Sequence, residues 1–127
     1  PRHISVQDCP DLFPILSILA ATREGEVRID GAPNLRHKES DRIQLMADGL
    51  TQVGVAVRQL PDGLIVGQGG ITPNLIQTEG DHRIHMSFRI LSLVCPGLVT
   101  DGSGAEAVSY PSFEADLSLL RRLTVSQ

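Results

Sequence analysis

The sequence predicts an α/β (α+β) fold in which helices are layered on a mixed sheet, and three observations lead there. Short β-prone runs alternate with segments of helical periodicity over nearly the whole chain. Aromatic residues make up only 3% and Trp is absent although 41% of the chain is hydrophobic, so the core must be built from Leu, Ile, Val and Ala, the composition of aliphatic strands covered by helices. Finally, one sharp hairpin signal sits among strand-to-helix connections, which mixes antiparallel pairing with at least some parallel crossovers.

Each element has its own justification. Residues 3–7 (HISVQ) are short and β-prone, and Asp8-Cys9-Pro10-Asp11 supplies a turn with acidic cap candidates. Leu12, Ile15, Leu16, Leu19 and Ala20 then recur at helical spacing up to Gly25, with Pro14 tolerable because it falls in the first turn. Residues 26–30 (EVRID) alternate as a half-buried strand closed by Gly31-Ala32-Pro33. Ile43, Met46, Ala47, Leu50 and Val53 mark one face of a second helix, which Gly54 stops. Two strands, 55–59 and 64–66, flank the hairpin signal Pro61-Asp62-Gly63. The stretch 67–74 is Gly-rich, but its GQGG lacks the spacing and the Lys-Ser/Thr of a P-loop and reads as a turn between strands.

A further short strand is expected at 75–78. Gly80-Asp81-His82-Arg83 then opens a third helix with Ile84, Phe88, Leu91, Val94 and Cys95 on one face, ending at Pro96-Gly97. A strand at 98–100, a small-residue loop at 101–107 and a last helix opened by Tyr110-Pro111-Ser112 and packed through Leu117, Leu120 and Leu123 complete the order β-α-β-α-β-β-(β)-α-β-α.

Composition excludes several function classes. A formal net charge of −4 argues against general nucleic-acid binding, which needs a basic face to displace counterions. No apolar run approaches the ~20 residues needed to span a bilayer, so no membrane association is expected. Cys9 and Cys95, both in apolar sequence surroundings, do not make a disulfide framework, a CxxC pair or a zinc cluster, and a reducing, cytoplasmic setting is the default. The chain starts at Pro1-Arg2-His3, directly ahead of a strand-like segment and without Met, the pattern of a fragment or a processed product.

The densest charge in the chain is Asn34-Leu35-Arg36-His37-Lys38-Glu39-Ser40-Asp41-Arg42, with six ionisable residues in nine, where a loop turns into a helix. Taken alone it reads either as a solvated, capped helix start or as an anion site using first-turn N–H groups and the helix dipole. Its partners favour the second reading: Asp11, Lys38 to Arg42, and Asp81 to Arg83 each lie at or beside a predicted helix N-terminus, and helices running side by side would bring them to one edge. Arg42 and Arg83 present planar forks suited to a carboxylate or phosphate, or else simply pair with Asp41 and Asp81. Lys38 adds a mobile charge, and Asp11 and Glu39 are the candidate acid/base groups. His82 is placed to donate into the site, while His85 reads as exposed or satisfied. As a metal site, His82 and His85 with Asp81 and Glu79 lack the spacing and the third ligand. No Ser occupies a nucleophile-elbow pattern.

Pro10-Asp11, Asn34 to Arg42, Pro61-Asp62-Gly63, Gly80-Asp81-His82-Arg83 with Ile84-His85-Met86, and Ser109-Tyr110-Pro111-Ser112-Phe113 together resemble, in order, the C-terminal portion of the 5-enolpyruvylshikimate-3-phosphate synthases (3-phosphoshikimate 1-carboxyvinyltransferases). RxKESDR and GDHR in this spacing are far more specific together than alone. The resemblance implies two similar domains of βαβαββ units with helices inside and sheets outside. It implies that residues 1–127 are a single C-terminal fragment whose N-terminal domain is absent and which is inert by itself. The activity implied is transfer of the enolpyruvyl group of phosphoenolpyruvate to the 5-hydroxyl of shikimate 3-phosphate, with no metal or organic cofactor.

Carried over by motif, Asp11 resembles the carboxylate that holds the shikimate hydroxyls and takes the proton of the attacking one. Asn34 and Lys38 resemble shikimate 3-phosphate contacts, Glu39 the acid/base at the phosphoenolpyruvate methylene, and Arg42 and Arg83 the phosphoenolpyruvate clamp with His82 beside them. Val108 stands where the family usually has a Lys that contacts phosphoenolpyruvate. The sister family acting on a UDP-sugar shares the implied fold but lacks the KESDR and GDHR combination, and a non-catalytic remnant of the same fold is the alternative from a different class.

Overall fold

The computed structural model describes residues 2–38, 40–102 and 110–125. In chain order they form β1 (Arg2–Ser5), a 3-10 turn (Pro10–Leu12), α1 (Phe13–Ala21), β2 (Val27–Asp30), a second 3-10 turn (Pro33–His37), α2 (Arg42–Gln52), β3 (Val57–Leu60), β4 (Gly63–Val66), β5 (Leu75–Ile76), α3 (His82–Leu91), β6 (Val99–Thr100) and α4 (Phe113–Val125). The order matches the sequence expectation, with the two 3-10 turns as additions.

The sheet is mixed, as the alternating pattern requires. Four strands lie in the order β1-β2-β4-β3, with β1 parallel to β2 and the β2·β4 and β3·β4 pairs antiparallel. β5 and β6 form a separate parallel pair. The hairpin between β3 and β4 closes with Leu60 opposite Gly63, leaving Pro61-Asp62 as the two-residue turn. Gly63 is required there by contact: a Cβ would fall 2.7 Å from Asp30 Cα and onto the carbonyl of Ile29. Asp62 ties the turn back to β2, its carboxylate accepting from Gly31 N–H at 3.1 Å.

α1 and α2 cover one face of the sheet, and α3 packs on both of them. The core is aliphatic with two phenylalanines: Phe13 and Ile18 from α1, Ile29, Leu64 and Val66 from the sheet, Ile43, Met46 and Leu50 from α2, Ile84 and Phe88 from α3. Fully burying each such side chain contributes about 1.5–3 kcal/mol. The expected α2 stripe of Ile43, Met46, Ala47, Leu50 and Val53 is buried throughout, and Gly54 follows at φ +94°, where glycine carries no Cβ penalty.

Three local expectations are corrected. α3 stops at Leu91 rather than running to Pro96, because the chain turns through 92–94; Val94 therefore leaves the buried face and is 66% exposed. Among the described side chains of α4 only Phe113 and Leu117 are buried, whereas Leu120 and Leu123 are exposed at 53% and 55%. α4 is held near its start, where Glu114 accepts a bidentate pair from Arg89 of α3 at 2.7 and 2.8 Å. Cys9 is exposed on the loop into the first 3-10 turn, while Cys95 is buried; both are free thiols.

No described helix is long and apolar enough to cross a membrane.

Candidate active site

Three strand-to-helix loops build the site. The loop after β1 carries Asp11 within its 3-10 turn, the loop after β2 runs through Pro33–His37 to α2, and the loop after β5 leads to α3. Connections of this kind gather functional groups at the carboxyl ends of strands in layered α/β folds. Here the three loops meet through side-chain bonds between residues 31 and 39 positions apart.

The junction is Arg42, the first residue of α2, whose side chain is 2% exposed. Its Nε donates to Asp81 Oδ2 at 2.9 Å and its Nη1 to Asp11 Oδ1 at 3.1 Å. Arg83, the second residue of α3, reaches the other Asp11 oxygen with Nη2 at 3.4 Å. Asp11 and Arg83 remain open to solvent, at 47% and 35% of their side chains. Asp11, Arg42 and Arg83 thus come from three separate elements to one edge, as the helix-start pattern predicts.

Both helix starts are capped by their own aspartates. Asp41 accepts from Gln44 N–H at 3.0 Å, and Asp81 accepts from Arg83 N–H at 3.0 Å and Ile84 N–H at 3.3 Å. The caps thus take part of the first-turn N–H set that the sequence reading offered to an anion, namely those of Gln44, Arg83 and Ile84. The alternative pairing of arginines with neighbouring carboxylates is also partly realised: Arg42 bonds to Asp81, and it is Arg36 that bonds to Asp41, at 3.0 Å.

Asp81 is fully buried. Burial by itself raises the pKa of a carboxyl, but hydrogen bonds from Arg42 and Ser40 and the Arg42 charge outweigh it and hold Asp81 below the ordinary carboxylate value. It is therefore ionised at neutral pH and balances the buried guanidinium.

The remaining candidates are placed less centrally. Asn34 is exposed on the second 3-10 turn and Lys38 is exposed just beyond it. His82 is buried at the first position of α3. His85 is buried, with its Nδ1 2.8 Å from Thr100 Oγ1. Glu39 and Val108 lie outside the described residues. Among the described residues no group of three or more His, Cys, Asp or Glu side chains is gathered to hold a metal ion. A surface cleft of about 720 Å³ lies elsewhere, lined by Ala21, Thr22, Gln68 and Ile71 among others, and holds none of these site groups.

Arg36 is the residue that sequence reasoning left without a part. From the second 3-10 turn it donates to Leu60 O at 2.7 Å, Pro61 O at 3.2 Å, Gln59 Oε1 at 3.2 Å and Asp41 Oδ2 at 3.0 Å. It fastens the loop carrying Asn34 and Lys38 to the β3–β4 hairpin and to the cap of α2. Its five-residue separation from Asp41 was visible in the sequence; its bonds to the hairpin were not, because they join residues 23 to 25 positions apart.

Two arginines and the carboxylates of Asp11 and Asp81 therefore meet where three loops of a layered α/β unit converge, and guanidinium forks are the side chains whose geometry matches small anions. The comparisons make this specific. The model of the family EPSP synthase (3-phosphoshikimate 1-carboxyvinyltransferase) matches residues 1–117, and the chain belongs to this family. It is 43% identical over 119 residues to a 3-phosphoshikimate 1-carboxyvinyltransferase of Clostridium acetobutylicum, a match covering 92% of this chain and 28% of that one. With the same-named protein of Methylococcus capsulatus it shares 46% identity over 114 residues, covering 89% and 26%. A solved structure of EPSP synthase from Acinetobacter baumannii superimposes with a TM-score of 0.83 at 36% identity, over 94% of this chain and 30% of that one. The chain thus spans somewhat more than a quarter of the length of these relatives.

Proposed function

We propose that this chain forms one wall of the active site of a 3-phosphoshikimate 1-carboxyvinyltransferase, and that the facing wall comes from the part of the relatives' length that it does not span. In that reaction the 5-hydroxyl of shikimate 3-phosphate adds to the central carbon of phosphoenolpyruvate while the methylene carbon gains a proton. Loss of phosphate and of a methyl proton from the tetrahedral intermediate leaves the enolpyruvyl ether. The work required of a protein is to hold two anions together, take the hydroxyl proton and move a proton at the methylene.

The observation that carries the reading is the convergence of Asp11, Arg42 and Arg83 from three loops. Arg42 and Arg83 are the clamp for phosphoenolpyruvate, with His82 beside them, and Asp11 is the base for the 5-hydroxyl. Asn34 and Lys38 contact shikimate 3-phosphate, and Glu39 serves the methylene carbon. These roles follow the family motifs, and the setting they imply is cytoplasmic.

The test is titration of phosphoenolpyruvate and shikimate 3-phosphate into the 127-residue chain, followed by NMR, with turnover assayed in parallel. Weak phosphoenolpyruvate binding that Arg83→Ala abolishes, without turnover, is expected. No binding at millimolar phosphoenolpyruvate, binding indifferent to Arg83, or turnover by the chain alone would each overturn the proposal. Val108 favours a second reading, a non-catalytic remnant of the fold. Under that reading Val108→Lys gains no affinity, whereas a working half-site gains from the added cation.

A further inference from the structure

We infer that Asp81 is a positioning residue that sets the guanidinium of Arg42 and locks it in register with Arg83. The inference rests on the anion-clamp reading of those two arginines and deepens it. Four donors converge on this one buried carboxylate. Oδ1 accepts the backbone N–H groups of Arg83 at 3.0 Å and Ile84 at 3.3 Å. Oδ2 accepts Arg42 Nε at 2.9 Å and Ser40 Oγ at 2.8 Å.

A carboxylate has about four lone-pair sites, so Asp81 is saturated. One oxygen belongs to α3 and the other to the start of α2. Because Arg42 is bonded at Nε, rotation of its planar fork is arrested, with Nη1 held on Asp11. Because the same carboxylate caps α3, the backbone that carries Arg83 is fixed relative to that fork. The spacing between the two cations is thereby set before a ligand arrives, which removes ordering cost from binding. A cap alone would need only Oδ1; an aspartate also placed to balance Arg42 needs both oxygens.

Asp81→Asn separates these roles. An asparagine caps a helix about as well as an aspartate. Once its oxygen accepts from α3, however, the amide NH₂ faces Arg42 Nε–H, donor against donor, while the Ser40 hydroxyl can turn to accept, and the balancing charge is gone. If Asp81 only capped α3, Asn would serve as well.

The test uses the full 127-residue chain and two readouts: exchange of the Arg42 Nε–H, assigned with Arg42→Lys, and phosphoenolpyruvate affinity. In the unmodified chain that proton is expected to exchange on the order of tenfold or more slowly than an exposed arginine's, as befits a buried bond. Asp81→Asn is expected to keep the helical circular dichroism, lose the protected proton and weaken phosphoenolpyruvate roughly tenfold to a hundredfold. Unchanged affinity together with an unchanged Arg42 signal in Asp81→Asn would overturn the inference. Should that variant fail to fold, the unmodified chain decides: fast exchange of Arg42 Nε–H overturns the inference and slow exchange supports it. A chain that protects this proton yet ignores phosphoenolpyruvate refutes the proposed function and leaves the Asp81–Arg42 assignment standing.

Discussion

Replacing Arg36 tests how the charged loop is held. Arg36→Ala removes four hydrogen bonds, one to the Asp41 carboxylate and three to Leu60 O, Pro61 O and Gln59 Oε1. Net contributions are about 0.5–1.5 kcal/mol per bond. The Arg36 and Asp41 side chains are 26% and 35% exposed, so water can replace part of what is lost, and the low end of the range applies. Four bonds at that end give roughly 2 kcal/mol. With a urea slope of about 2 kcal/mol/M, the unfolding midpoint should fall by about 1 M.

Arg36→Lys should recover less than half of that loss, because a single ammonium cannot span the hairpin carbonyls and Asp41 as a fork does. Urea melts followed by circular dichroism give both numbers. A midpoint within about 0.3 M of the unmodified chain, or full recovery by lysine, would show that the fork does not fasten the loop.

Two further outcomes follow from the packing and the charges. Gly49 of α2 faces the buried Phe88 ring, and an added Cβ would lie 2.8 Å from Phe88 Cε2. Gly49→Ala should therefore destabilise by about 1–2 kcal/mol in a thermal melt despite the roughly 1 kcal/mol helix-propensity gain, and Phe88→Leu in the same chain should relieve part of the loss; a net gain from Gly49→Ala would contradict the contact. For Asp81, the folded-state pKa lies below the unfolded one, so its stabilisation is fully present above the unfolded value of about 3.9 and is lost as pH falls through the folded value. Stability measured by denaturant between pH 7 and 3 should hold steady to about pH 5 and then decline, less steeply in Asp81→Asn, and equal declines in the two chains would remove Asp81 from the account.

Much of this molecule was legible from local rules. The α2 stripe from Ile43 to Val53, the Pro61-Asp62 hairpin and the caps Asp41 and Asp81 depend on residues within a few positions of one another, where periodicity and turn chemistry act directly. The same rules failed where a helix ended or docked. Nothing local stops α3 at Leu91 instead of Pro96, and the apolar spacing of Leu117, Leu120 and Leu123 does not reveal that only the first finds a buried place.

Sequence alone determined the element order, the aliphatic core and the three charged loops, because each is written in spacing and composition. Tertiary structure alone decided how those charges are spent. It gave Arg36 to the hairpin and drew Arg42 out of water between Asp11 and Asp81. The reason is that an ion pair has no periodicity: the bonds from Arg42 cross 31 and 39 positions of chain, and only the packing of α1, α2 and α3 against one another brings their ends to the same edge.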